Sequence, residues 1–437
     1  MINKKVILLA PFEYYFKNKL AKYLSSYFIT TICADLYYYQ PLKKVFSKVI
    51  PYNYPERIIE IGLKGINEEI IELVREERPD YLIWTAGSYE FRESTFDSIR
   101  KEGTIVIGFF YDDEYRFDDY SKWWIPHLDY CVTNSIEAVP KYREIGAKSI
   151  LGIPIAGGIA VERDWSNLKE RYDVSFVGDR TPVYRKKYLN ELRKRAIPIH
   201  LFGGDRNGGY IPLKEMLNVY WFSKINLNFS RTGYKNEKLQ MKGRIFEVPM
   251  AGGFLLTEYV PHIENYFQID KEIVCFRDSK EMIDKIKYYL NHDEERRAIA
   301  KAGWERARAN YTSFHTLSKV FEEIEEDIKK GSKKDNFCPL ELKMPGRVRK
   351  NFSNHYFGWG LAFAMVGDKK LWKDALSLSL SYNPFNIMTW SCYLIAFSPS
   401  FIRPVLYGLY KILYKIARKS HIHKAMIKVF SWFQKMK

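Results

Sequence analysis

The sequence predicts an α/β chain of two consecutive parallel-sheet units facing a cleft, followed by an α-helical C-terminal extension. Three observations lead there. Short β-like apolar runs alternate with helical stretches up to about residue 160, and the same alternation restarts at Asp173. Beyond residue 330 the β-like runs stop and basic residues accumulate. Alternation of this kind implies a parallel sheet covered by helices, and 437 residues are enough for two or three domains.

In the first unit, strands are expected at 6–9, 28–34, 81–85, 105–110, 130–133 and 149–151. Helices are expected at 15–25, 66–77 and 138–145, where apolar side chains recur close to every 3.6 residues. Pro154 and the run Ala156-Gly157-Gly158 mark a crossing between units. In the second unit, strands are expected at 174–177, 199–202, 224–229, 254–257 and 273–276. Helices fall at 185–195, 214–222, 244–250, 279–291, 293–310 and 315–330. The expected division is 1–160, 161–330, a linker over 331–350 and a helical region over 351–437. Open sheets bind ligands at the carboxyl ends of their strands, and pockets favour domain interfaces.

The linker carries Lys333–Asp335, Pro339 and Pro345-Gly346. After it come Trp359-Gly360-Leu361-Ala362, a Gly367-Asp368 turn, then Trp372, Ala375, Leu376 and Asn383-Pro384. These positions resemble one tetratricopeptide-type helix pair of about 34 residues; an unrelated helical hairpin with similar residues is the alternative. Either way, a single pair needs a neighbour to pack on.

Composition narrows the class. Apolar residues at 46% and charged residues at 28% allow a real core and argue against disorder. The five cysteines are scattered, with no CxxC and no Cys/His cluster, so neither a disulfide framework nor a zinc site is expected. The net charge is +17, but +14 of it lies after residue 330, where 18 basic and 4 acidic side chains occur. The chain is therefore not uniformly basic; it has a basic tail. No base-stacking or groove-reading motif accompanies that charge, so nucleic acid is not an expected partner. The apolar run at 6–9 is too short for a secretory leader. The longest uncharged stretch, 375–402, holds two Pro, two Asn and six Ser, poor material for a lipid-exposed span.

The informative segment runs from Lys242-Gly243-Arg244 through Glu247 and Gly252-Gly253 to Glu258. Lys242 and Arg244 stand where a helix begins, so side-chain cations and free backbone N–H groups would meet one anion there. Arginine adds a planar fork suited to phosphate oxygens. Gly252-Gly253 would permit a close backbone approach. Glu247 lies one helical turn beyond Gly243, on a face where a carboxylate can accept from ribose hydroxyls.

This segment, extended back to Asp173–Gly178 with Arg185 and forward to about Tyr311, resembles the donor domain of group-1-type glycosyltransferases. Within that family it is most similar to the spore-maturation-protein-like subfamily. The resemblance implies GT-B architecture, two Rossmann-like domains facing a cleft, with 1–160 on the acceptor side and 161–330 binding a nucleotide diphosphate sugar. It places Lys242, Arg244, Glu247, Gly252 and Gly253 at the donor, with Glu247 matching the second glutamate of the family's paired motif; a dipole-favoured acid in a first helical turn is the alternative for Glu247. Gly178 and Arg185, in the first turn of the second unit, are expected at phosphate or base, with a plain strand-to-helix turn as the alternative. At the earlier glutamate position this chain has Leu239, which leaves retaining or inverting stereochemistry unassigned. Asp112 and Asp113 follow a strand whose end points into the cleft, where a carboxylate could take the acceptor's proton; helix caps or turn formers are the alternative. His127 and His200, without a paired acid at a telling spacing, are read as structural.

No cofactor and no metal are expected, because cations at the diphosphate can do a metal's work. The expected partners are the nucleotide sugar, a surface-glycan or lipid-linked acceptor, and an anionic membrane surface. From Phe401 onward there are nine Lys or Arg and no acid. Apolar stripes (Val405, Leu406, Leu409, Ile412, Leu413, Ile416; then Met426, Ile427, Phe430, Phe433) run among them, with Tyr407, Tyr410, Tyr414 and Trp432. That combination reads as an interfacial helix, so the expected location is cytoplasmic, attached to the inner face of the cell membrane. The alternative functions are a nucleotide-sugar epimerase on a similar fold and a non-catalytic glycan-binding scaffold.

Overall fold

The computed structural model describes residues 1–12, 34–87, 89–152, 161–203, 211–232, 238–331, 342, 344–366 and 368–397. The first sheet holds β1 (Ile2–Leu9), β2 (Phe46–Tyr52), β3 (Tyr81–Ala86), β4 (Ile105–Phe110), β5 (Tyr130–Thr133) and β6 (Ser149–Leu151). All its pairings are parallel, in the order β2-β1-β3-β4-β5-β6. Its helices are α1 (Gln40–Val45), α2 (Tyr54–Glu77), α3 (Glu93–Lys101), α4 (Asp113–Arg116) and α5 (Val139–Glu144). The central strands are buried on both faces, which is why they read as unbroken apolar runs.

The second sheet holds β7 (Tyr172–Val177), β8 (His200–Phe202), β9 (Ser223–Asn228), β10 (Leu255–Glu258) and β11 (Val274–Phe276), again all parallel, in the order β11-β10-β9-β7-β8. It is flanked by α6 (Val183–Lys194), α7 (Leu213–Phe222), α8 (Arg244–Met250), α9 (Ser279–Leu290) and α10 (Asp293–Asn310). Two Rossmann-like parallel sheets followed by a helical region are the fold class that the alternation implied.

Chain order and packing part company at α11 (Ser313–Lys329). Although it falls within 161–330, its buried face (Leu317, Val320, Phe321, Ile324) joins Val6, Leu8, Phe46 and Tyr81 in the core of the first sheet. Phe321 lies edge-on to Phe46 at 4.7 Å, and Glu325 binds Lys4 at 2.8 Å. The chain thus returns to its first unit after finishing the second.

The helical region consists of α12 (Gly346–Val366), α13 (Lys369–Tyr382) and α14 (Ile387–Phe397). Helix α12 starts inside the expected linker, directly after Pro345. Asp368 caps α13, its side chain accepting from the Leu371 N–H at 2.9 Å. The hairpin packs on the first unit: Val348, Phe352, Tyr356 and Trp359 share a core with Ile58, Ile66, Trp84 and Trp124. No described helix is long and apolar enough to cross a membrane.

Elements of the first unit differ from the sequence reading. Strand β2 replaces the expected strand at 28–34, of which only Ala34 is described, and Ala34 is helical. As an edge strand β2 is buried fully only at Phe46 and Tyr52, so it lacks the apolar run of its neighbours. Helix α3 was also not expected, since only Thr95, Phe96 and Ile99 of its nine residues are buried. The expected helix at 15–25 and the whole 401–437 tail lie outside the described residues.

Candidate functional site

The carboxyl end of β4 delivers Asp112, Asp113 and Glu114 to the cleft side of the first sheet, and their three environments differ. Asp112 adopts a left-handed conformation with φ 64° at the N-cap position of α4, where its side chain makes no capping hydrogen bond. Its carboxylate accepts from the Tyr115 hydroxyl at 2.8 Å and from the Gln240 amide at 2.5 Å. Asp113 is 1% exposed and accepts from three hydroxyls: Ser121 at 2.5 Å, Thr133 at 2.6 Å and Tyr142 at 2.9 Å. Burial raises its carboxyl above the ordinary range while those hydroxyls hold it down. Both its oxygens are occupied inside the core, so the expected role of Asp113 as a cleft base does not fit; it organises the β4–β5 edge.

Glu114 is the residue that sequence reasoning passed over. It is 8% exposed and lines a pocket between the two units with Asn134, Ser135, Leu239, Met241 and Tyr266. Burial, reinforced by the nearby Asp112 and Asp113 charges, pushes it up to about 7, and Lys242 opposes the rise. A carboxyl that titrates near neutrality is suited to general acid–base work. The only available signal was its place in the Asp-Asp-Glu run, which does not say which acid faces the cleft.

The second unit supplies cations. Arg185 lies on α6 and is 6% exposed; its guanidinium donates to the Tyr184 hydroxyl at 2.7 Å and to the Asp179 carbonyl at 2.6 Å. Burial pulls its pKa down, and the neighbouring Arg244 adds to that. Lys242 is pulled down to about 8, chiefly by burial and partly by Arg244 and Arg185, while Asp112 and Glu114 work the other way. Arg244 donates weakly to Asn228 Oδ1 at 3.4 Å and lies 5.8 Å from the Phe176 ring. Arg185 lies 5.9 Å from the same Phe176 ring that Arg244 approaches, and both arginines act on Lys242, so the fold holds like charges near one another. Such a cluster is costly without an anion and favourable with one.

Gly178 makes room for this arrangement. A Cβ there would come within 2.5 Å of the Arg244 guanidinium, and its φ of 146° also disfavours a side chain. Glu247, half-buried on α8, accepts from the Tyr37 hydroxyl of the first unit at 3.3 Å. Burial raises its carboxyl and Arg244 lowers it.

Two expectations at this site need correcting. Gly252 and Gly253 do not line an open backbone cradle. A Cβ on Gly252 would meet the Trp221 ring at 2.9 Å, and one on Gly253 the Tyr220 carbonyl at 2.6 Å. Their missing side chains let protein pack against protein. Helix α8, moreover, is only seven residues long with Pro249 inside it, so it adds little dipole that could favour an anion. Of the histidines, His127 does meet an acid, Asp97, at 2.8 Å, a pair separated by 30 residues in the chain. Among the described residues no group of His, Cys, Asp and Glu gathers as a metal site.

The model of a family described as "Glycosyl transferase-like" matches residues 180–322, about a third of the chain and most of the second unit. No curated protein matches the sequence. Among solved structures, Anabaena HepE in complex with UDP-glucose is 8% identical, with a TM-score of 0.48 over 74% of this chain and 100% of that one. An α-glucosyltransferase in complex with UDP and a 13-mer DNA containing a HMU base is 11% identical, with a TM-score of 0.47 over 74% and 100%. A Listeria monocytogenes protein described as a UDP-N-acetylglucosamine 2-epimerase is 10% identical, with a TM-score of 0.46 over 75% and 98%.

Proposed function

We propose that the chain is a glycosyltransferase moving a hexose-type sugar from a nucleotide diphosphate sugar to a surface-glycan or lipid-linked acceptor. The observation that carries this reading is one juxtaposition. Arg185, Lys242 and Arg244 of the second unit gather opposite Asp112 and Glu114 of the first, with Gln240 bonded to both carboxylates. The family match over 180–322 points the same way.

The chemistry follows from the charges. As the sugar–phosphate bond breaks, the diphosphate leaves with the electron pair, and its growing negative charge falls beside the three cations. The acceptor oxygen forms the new bond and gives its proton to a carboxylate, for which Glu114 is better placed than Asp113. Glu247 receives the ribose hydroxyls. No metal enters this scheme. Thermal-shift measurements against UDP, GDP, ADP and CMP, followed by chromatography of donor and acceptor, test the reading. Stabilisation by one nucleotide and a sugar-extended acceptor are expected. A chain stabilised by none of them, or one that only epimerises the donor, would sink it.

The basic tail is proposed to hold the enzyme at the cytoplasmic face of an anionic membrane, burial and charge acting together. The test needs a truncation after Phe397. A cut after Gly331 would strip Phe352, Tyr356 and Trp359 from the core of the first unit. Unchanged sedimentation with anionic vesicles after the later cut would refute the tail's role.

A further inference from the structure

Eight large hydrophobic side chains are exposed among the described residues, and four of them lie within ten residues of one another. Phe385 is 88% exposed, Ile387 61%, Leu394 51% and Trp390 43%. Ile387, Trp390 and Leu394 fall at i, i+3 and i+7 of α14, so they share one face. The opposite face is anchored: Thr389 and Cys392 are buried, and the Thr389 hydroxyl meets the Ser379 hydroxyl at 2.9 Å. Scattered single hydrophobics on a surface need no explanation, but a concentrated row does.

We propose that Phe385, Ile387, Trp390 and Leu394 form a folded docking surface for an anionic phospholipid bilayer. The row can enter lipid at little polar cost. Trp390 already donates its indole N–H to the Pro384 carbonyl at 2.7 Å. The turn before α14 is closed by the Phe385 N–H on Asn383 Oδ1 at 3.3 Å. No charged residue occurs anywhere from 375 to 402. The chain then continues through 398–437, which carries nine Lys or Arg and no acid. Exposed rings followed in the sequence by a cationic stretch suit a bilayer surface, with acyl chains beneath anionic headgroups. A second copy would carry the same net positive charge, which like-charge repulsion opposes. Because α12 and α13 are seated in the core of the first unit, the row has a set orientation toward the cleft-bearing body. This inference is independent of the sugar-transfer reading, and it adds a folded contact to the tail attachment.

The experiment uses the full chain, the double variant Phe385→Ser/Trp390→Ser, and vesicles of phosphatidylcholine with or without phosphatidylglycerol. The wild-type chain should sediment with the anionic vesicles. The double variant, with unchanged melting temperature, should partition about tenfold or more weakly, since two buried rings are lost. Bromine-labelled acyl chains should quench a fluorescence component that is missing in Trp390→Phe. Equal partitioning of the double variant and the wild type would overturn the proposal, because attachment would then come from the tail alone. It would equally be overturned if, without vesicles, acrylamide failed to quench that component, showing the row covered by the chain's own C-terminal stretch. Failure of the full chain to sediment at all has the same consequence. None of these outcomes bears on nucleotide binding, so the two readings fail separately.

Discussion

Gln240, on the second unit's side of the cleft, donates its Nε2 to Glu114 Oε2 of the first unit at 3.0 Å. The same amide nitrogen serves Asp112, and the amide oxygen accepts from Lys242. One neutral side chain therefore links the carboxylates of one unit to a cation of the other. The expected behaviour of the site follows from that link.

Activity should depend on pH in a bell. Glu114, held up to about 7, must lose its proton to act as a base, so the rate should fall as pH drops through 7. Lys242, pulled down to about 8, loses its charge as pH rises through 8, weakening the hold on a diphosphate. The kcat/KM profile of the wild type should show both limbs. Glu114→Gln should lower the rate and abolish the acid limb while leaving nucleotide affinity within about twofold. Retention of the acid limb would exclude Glu114 as the base.

The same substitution should stabilise the fold at high pH. The folded-state pKa of Glu114 lies above its unfolded value, so its stabilising contribution is complete below about 4.5 and is lost as pH rises through 7. Glutamine cannot ionise. At pH 8, Glu114→Gln should gain on the order of 1–3 kcal/mol, and at pH 5 the gain should be small. Urea unfolding at the two pH values measures the difference.

Gly178→Ala tests the cation cluster without removing a charge. The new methyl would fall within 2.5 Å of the Arg244 guanidinium, at a φ that side chains rarely adopt. It should displace Arg244 and weaken nucleotide diphosphate binding. The loss should approach that of Arg244→Ala, for which removal of a charge-assisted contact costs about 1.5–3 kcal/mol. Calorimetric titration with UDP reads both. Full affinity in both variants would remove Arg244 from the donor site.

Asp113→Ala should act on stability. It would leave the Ser121, Thr133 and Tyr142 hydroxyls without their shared acceptor, at about 1–3 kcal/mol for each group left unsatisfied. A large drop in melting temperature is expected. Normal stability together with lost turnover would instead return Asp113 to the chemistry.

The cation-bearing segment was legible because it is local. Lys242, Arg244 and Glu247 stand within six residues, where their spacing around a helix start carries chemical meaning. Glu114 was not, because its environment is made by Gln240, 126 residues away. Tyr37, which reaches Glu247 across 210 residues, was equally hidden. The glycine pair shows the opposite error. A sequence can say that a side chain is missing, but not whether ligand or protein fills the space; here it is Trp221 and the Tyr220 carbonyl.

By itself, then, the sequence determined the alternation of strand and helix, the two parallel sheets and the placing of positive charge in the tail. Those features depend on periodicity and composition, which neighbouring residues express together. Tertiary structure alone decided that α11 crosses back onto the first sheet, that α12 and α13 complete that unit's core, and that Asp113 is enclosed while Glu114 faces the cleft. Asp113 and Glu114 are adjacent acids of nearly equal intrinsic acidity. What separates them is three hydroxyls around one and a partly desolvated pocket around the other, and only packing between distant segments creates that difference.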